Sequence, residues 1–366
     1  MTAPDRGDIR SVAFYLPQYH PIPENDAWWG EGFTEWTKVR PATPLFPGHY
    51  QPHVPGQLGY YDLREAEVRE AQAGLARAYG IDAFCYYHYW FGGKQLLERP
   101  FDEVLASGHP DLSFCLCWAN EPWSRAWDGS RTDVLIDQRY SDEDDIRHID
   151  WLIDAFRDDR YLRVDGKPLF LVYRAGQLPD AAATLARWRE RVARAGLPGL
   201  FLCQVESHRE RGDPRRSGFD AAVEFQPAVA DLHGLLWRRF RPQRLLSRIG
   251  VLPVDRSYMA LDYAGMVHQM TTRPQPDFLR FPCVTPQWDN TPRRPYGALV
   301  FTDSTPQLFR QWVAAAGARL RRAPAEHRLL FVNAWNEWGE GCHLEPCERW
   351  GTGYLEAFAD GLVEEG

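Results

Sequence analysis

Leu329-Leu-Phe-Val-Asn-Ala-Trp-Asn-Glu-Trp-Gly-Glu-Gly341 runs from a purely apolar stretch into two carboxylates set between tryptophans and glycines. Its first half reads as a strand covered on both faces, the kind found in a parallel sheet. Seven similar runs precede it, at residues 11–19, 82–90, 113–120, 169–174, 200–206, 221–227 and 281–288, and the eighth spans 329–338. Amphipathic patterns at 63–79, 142–157, 180–195, 305–322 and 353–363 predict helices between and after them. Alternating strands and helices predict an α/β fold with a parallel sheet, and eight repeats predict a single (β/α)8 TIM barrel with long βα loops. The main rival is an open doubly wound sheet. No glycine-rich phosphate loop follows the first strand, which weakens that rival.

The 366 residues suit one barrel domain spanning 1–366, and no repeat, low-complexity linker or second boundary is visible. Some connections are long. Residues 21–61 carry Trp28, Trp29, Trp36 and many prolines, and the segment after the third strand carries Glu121, Trp123, Trp127 and Asp128. The insertion at 228–280 is too long for a simple crossover and is expected to hold extra helices, as a lid or a partner contact. Its Arg-rich piece, 238–248, reads as a solvated helix face.

Composition narrows the function. Aromatic residues make up 14% of the chain, 15 of them Trp, and flat rings suit the faces of sugars. A formal charge of −8 argues against a nucleic-acid partner. No stretch of about 18 apolar residues predicts a membrane span. The polar start shows no secretory signal. Of the seven cysteines, Cys85, Cys115, Cys117, Cys203 and Cys283 fall in strand-like runs as small buried thiols. A cytoplasmic location is therefore expected. Neither Cys342 and Cys347 nor His20, His49, His53 and His88 form a compact ligand set, so neither a metal nor another cofactor is expected. The sequence carries no signal for an oligomeric state.

Function in a barrel collects where strands end. The candidate ligand contacts there are Tyr15 and Gln18; Tyr87, His88 and Trp90; Trp118, Asn120 and Glu121; Tyr173; Glu206; Trp288, Asp289 and Asn290; and Asn336 and Trp338. Each alone could be ordinary packing, a turn or an ion pair. Their concentration at one end of one sheet favours an oligosaccharide or polysaccharide substrate.

Glu337 and Glu340 are the candidate catalytic pair. Glycosidic cleavage uses one carboxyl group to protonate the leaving oxygen and another to assist at the sugar. Tryptophan walls can keep one of them protonated near neutrality. The competing structural reading is a helix cap or an ion pair with Arg349. Glu121, in Trp118-Ala-Asn-Glu-Pro-Trp123, is a second candidate acid, with a structural ion pair to Arg125 or Arg131 as its alternative. No Gly-x-Ser-x-Gly elbow supports acyl transfer.

These motifs, with Ala13-Phe-Tyr-Leu-Pro-Gln-Tyr-His-Pro-Ile-Pro-Glu-Asn-Asp26, Trp28-Trp-Gly-Glu-Gly-Phe-Thr-Glu-Trp36 and Tyr86-Tyr-His-Tyr-Trp90, resemble the WbsX-like proteins. Those are often described as lipopolysaccharide or O-antigen glycosyltransferases and as glycoside hydrolase family 99-like. The resemblance covers nearly the whole chain. It implies a (β/α)8 barrel and metal-independent, retaining cleavage through a 1,2-anhydro sugar. Glu337 would take the proton from the sugar 2-hydroxyl, and Glu340 would protonate the leaving oxygen and then deprotonate water. That chemistry implies a manno-configured substrate, an α-mannoside or an α-L-rhamnoside, in a bacterial polysaccharide. The ends of strands one and two follow the WbsX-like pattern rather than that of the mannosidases, and strand seven has Trp288-Asp-Asn. The carboxylate pair therefore transfers better than the sugar specificity. Transglycosylation by the same mechanism, glycosyl transfer from a nucleotide sugar, and non-catalytic glycan binding are the alternatives.

Overall fold

The computed structural model describes residues 6, 8–124, 133–207, 211–228, 258–294 and 297–363. The barrel strands are β1 (Arg10–Tyr15), β2 (Ala83–Phe91), β3 (Ser113–Trp118), β4 (Lys167–Val172), β5 (Phe201–Val205) and β6 (Ala221–Val223). Two short pieces, Arg280–Phe281 and Cys283–Val284, form β7, and Leu329–Val332 forms β8. The strands pair in parallel in the order β6-β5-β4-β3-β2-β1-β8. The first piece of β7 pairs with β6 and the second with β8, which completes the ring. Pro282 separates the pieces because it has no N–H to give the ladder. Its carbonyl still accepts from Phe331 N–H at 2.9 Å. The expected α/β barrel is thus the observed one.

Side chains alternate between the barrel interior and the helix layer. Phe14 points inward, against Phe225 at 5.2 Å and Phe331 at 5.6 Å between ring centroids. Tyr86 points outward onto Phe101 of the helix Arg99–Ser107. The helices start where the sequence supplies caps. Asp142–Phe156 opens on Ser141, whose hydroxyl accepts from Asp144 N–H, and four acidic residues fill its first turn. Asp180 and Thr305 cap Ala181–Arg194 and Pro306–Leu320 in the same way.

Strands seven and eight are shorter than expected. Their apolar runs continue past Val284 and Val332 into rim turns, where Asn336–Glu337 pairs antiparallel with Cys342–His343. The helix Arg99–Ser107 and a parallel pair, Tyr258–Asp262 with Ala298–Thr302, add to the expected elements. Among the described residues between β5 and β6, the one helical element is the single turn Pro214–Ser217. Trp127, Asp128, Arg125, Arg131 and the Arg-rich piece 238–248 lie outside the described residues.

Asn336 fastens the end of β8 to the end of β1. Its amide accepts from Leu16 N–H at 2.8 Å and donates to Leu16 C=O at 3.0 Å, fully buried. Asn336→Ala leaves both backbone groups without their partner, at about 1–3 kcal/mol each. The expected outcome is a lower urea midpoint with an unchanged far-ultraviolet circular dichroism spectrum.

Candidate active site

The long connection after β1 folds back over the barrel mouth. Trp36 sets it there, donating to Tyr61 C=O at 2.8 Å and packing on Trp338 at 5.6 Å. The preceding residue, Glu35, donates its N–H to Gln18 C=O at 3.0 Å and is fully buried. From the other side, the turn after β7 brings in Arg293, whose N–H donates to Asn290 C=O at 3.2 Å. The Arg293 guanidinium then meets three carboxylates. Its Nε donates to Glu35 at 2.6 Å, one Nη to Glu337 at 2.6 Å, and the other lies 3.3 Å from Glu340.

Gly339 makes this approach geometrically feasible. A Cβ there would lie 1.7 Å from a Glu35 carboxylate oxygen and 2.7 Å from Arg293 Nε. Gly341 adopts φ +56°, and a side chain on it would press against Asp289.

The electrostatics follow from burial. Burial pushes Glu337 up to about 8, Arg293 opposes this, and Glu340 and Glu35 add to it by repulsion. Glu340 is also raised, first by burial, with Arg293 and then Arg294 opposing. Burial disfavours the charge on Arg293, but Glu337, Glu35 and Glu340 outweigh it and keep the guanidinium protonated. The two glutamates differ in access: the Glu337 side chain is 6% exposed and that of Glu340 24%. Near neutrality the pair therefore holds a proton between a buried oxygen and one open to a ligand.

Three tyrosines share this mouth. Tyr87 and Tyr89 point inward from β2, half-buried, and Tyr173 follows β4. Burial raises all three phenols, and the Glu337 charge raises each further. Tyr173 stands against Tyr87 and Phe225, and it feels Glu121 and Glu340. Glu121 pairs with Arg174 and stays about one-third exposed at the same rim. Tyr89 packs on Trp123 at 5.1 Å, and Trp123 on Trp28 at 5.9 Å, so half-buried rings extend outward from the carboxylates.

Other expected contacts face elsewhere or have their polar atoms engaged by the protein. One group faces the helix layer because strand alternation puts it there. His88 and His148 meet at 2.9 Å, Trp90 donates to Asp144, Trp118 donates to Trp90 C=O, and Tyr15 donates to Gln72. A second group is buried with its polar atoms used by the protein. Asn120 bonds both backbone groups of Arg174, Asn290 accepts from Leu299 N–H, Asn336 holds Leu16, and Trp338 donates to Glu345 at 2.6 Å. Glu206 lies 3.5 Å from Arg280, beside the cluster of Glu224, Arg273 and Arg319. Gln18 is buried under the β1 connection. Asp289 accepts from His49, Gln51 and Thr291, and it borders a separate cavity together with Trp288.

Sequence reasoning missed Arg293 and Glu35, although Glu35 stood inside the Trp28–Trp36 motif and Arg293 followed Trp288-Asp-Asn closely. Two close carboxylates call for a cation, but nothing local says which arginine supplies it. Arg349, the candidate considered, lies instead over the Tyr50 and Trp350 rings.

Comparison with known proteins places the site in context. The family model described as "Glycosyltransferase WbsX" matches residues 11–358. Two proteins named "Uncharacterized protein WxcX", from two strains of Xanthomonas campestris pv. campestris, are each 46% identical over 353 residues. The match covers 96% of this chain and 49% of each relative, so the chain spans about half the length of the curated relatives it matches. A solved structure titled "Glycoside hydrolase-like protein" aligns with a TM-score of 0.58 at 17% identity, covering 98% of this chain and 94% of that one. A GH99 endo-alpha-mannosidase from Bacteroides thetaiotaomicron aligns with a TM-score of 0.56 at 16% identity, covering 99% and 97%. At these identities the likeness is one of fold.

Two outcomes are expected here. Gly339→Ala forces Glu35 and Arg293 apart and costs about 1–3 kcal/mol in a denaturant titration. Glu337 has a folded pKa above its ordinary 4.5, so its contribution to stability is full below that value and is lost as pH rises through about 8. The melting temperature of the parent therefore falls as pH rises from about 5 to about 8, and that of Glu337→Gln falls less.

Proposed function

This chain belongs to the WbsX glycosyltransferase family, and from that premise we propose that it is a carbohydrate-active enzyme that cleaves glycosidic bonds. The bond is manno-configured, of α-mannoside or α-L-rhamnoside type, in a bacterial polysaccharide. Cleavage proceeds with retention, and water or another sugar accepts the glycosyl group. The observation that carries this reading is the Glu337–Arg293–Glu340 contact at the barrel mouth.

In the first step Glu337, as the anion, accepts the proton of the sugar 2-hydroxyl. That oxygen bonds to the anomeric carbon while the bond to the leaving oxygen breaks, and Glu340 gives its proton to that oxygen. In the second step Glu340 takes a proton from water, the new hydroxyl bonds to the anomeric carbon, and Glu337 returns its proton to the opening 2-oxygen. The cycle needs one proton on two carboxyl groups, the state that burial and mutual repulsion favour near neutrality. In the free protein burial favours the proton on Glu337. Arg293 touches both groups, so it supports the anion on either as the proton passes to the more open Glu340.

The family's description favours a second reading, transfer from a nucleotide sugar. Product formation from a nucleotide-sugar donor, with no cleavage of any glycoside, would support it.

For the main reading, Glu337→Gln and Glu340→Gln are each expected to lower kcat on an activated manno-type aryl glycoside by about 10²–10⁴-fold with the fold intact. Parent activity should fall on the alkaline side as the last shared proton is lost, near the value of about 8 for Glu337. Full activity in both variants removes the assignment.

A further inference from the structure

A cavity of about 370 Å³ opens on the same face of the barrel, bordered by Asp289 and Gly341. It is walled by loops after β1, β7 and β8 and by the extra strand pair Tyr258–Asp262 with Ala298–Thr302. Its size falls in the range of small-molecule sites, roughly 300–1,000 Å³. Neither Glu337 nor Glu340 lines it. It is nevertheless fixed to the pair: Gly341 follows Glu340 in the chain, and Asp289 N–H donates to Glu340 C=O at 2.6 Å.

The chemistry of the walls limits the ligand. Phe46, Tyr258 and Trp288 present aromatic surface, with Phe46 and Tyr258 stacked at 4.8 Å. The charged groups of the wall are Asp289, Asp303 and Arg349. His49 accepts Leu45 N–H on Nδ1, so the proton on its Nε2 goes to Asp289 at 2.6 Å and the ring is neutral. Gln51 and Thr291 also donate to Asp289. Burial holds His53 down at about 4, against the pull of Asp289, so it too is neutral. Arg349 sits over the Tyr50 and Trp350 rings. Such a wall has no cluster of positive charge for a phosphate.

Three polar groups of the wall lack a hydrogen-bond partner among the described residues: the buried Tyr50 hydroxyl, the buried Trp288 indole N–H and the buried Ser304 hydroxyl. The indole donates, and the hydroxyls can donate or accept. Rings plus unmatched donors and acceptors, with no cluster of cations, suit a neutral ring bearing hydroxyls.

We propose that this cavity is a second sugar-binding site, holding one uncharged sugar unit next to the carboxylate pair. The choice of a sugar over other neutral polar rings rests on the carbohydrate reading of the barrel mouth.

The test uses the full chain and ligand-observed NMR titration with methyl α-D-mannopyranoside and methyl α-L-rhamnopyranoside. Ser304→Trp fills the cavity. Phe46→Ala keeps it open but removes one ring, and it serves if the first variant misfolds. The parent is expected to bind one of the glycosides at two sites, Ser304→Trp at one, and Phe46→Ala at least about tenfold more weakly at the second. Cleavage of an activated aryl monoglycoside should be unchanged in both. Equal binding by parent and variants, or displacement by uridine but by neither glycoside, overturns the proposal. Loss of one sugar site in Ser304→Trp from a parent that cleaves nothing keeps the cavity assignment and removes the catalytic one.

Discussion

One guanidinium holds the barrel mouth together. Arg293 arrives from the turn after β7 and meets carboxylates from the β1 connection and from the end of β8. Without it, three acidic side chains would crowd a largely buried space, where like charges repel strongly. With it, they gather around one cation. The cluster also joins three distant parts of the chain. Its Gly339 contact leaves no room for a side chain, so local backbone and charge arrangement depend on each other.

Around this cluster, polar rim residues act mainly as scaffold. Glu345 shows the pattern most clearly. It is buried and accepts from Gln72, Tyr61 and Trp338, and burial still pushes it up to about 7. Asn336 and Asn120 tie neighbouring strand ends through backbone groups. Buried polar groups with full partners rigidify their surroundings, and rigidity is what a preorganised pair of carboxyl groups needs. The tyrosines that remain half-buried, Tyr87, Tyr89 and Tyr173, line the mouth itself.

The barrel was legible because eight apolar runs and their intervening helices repeat, and burial on both faces leaves a strong signal. Strand lengths were less legible. The runs stay buried past Val284 and Val332, polar residues included, because the rim turns are buried too. The carboxylate pair could be read because its two members lie three residues apart. The cation between them could not, because Arg293 and Glu35 are 258 positions apart and meet only through closure of the barrel. Strand alternation explains the main corrections. Tyr87 and His88 are neighbours in sequence, yet one faces the mouth and the other stacks on Trp151 in the helix layer. A list of strand-end residues does not separate the two faces until the register is known.

The central claim is that Glu337 and Glu340 share a proton near neutrality under the hold of Arg293. Carboxyl ¹³C NMR on protein labelled at the glutamate side chains tests it most directly, with Glu337→Gln identifying the resonance. A carboxyl signal that titrates near pH 8, as its burial dictates, and is absent from that variant agrees with the account. If both carboxyl groups are fully ionised by about pH 6, near the ordinary range of a glutamate, the account is contradicted.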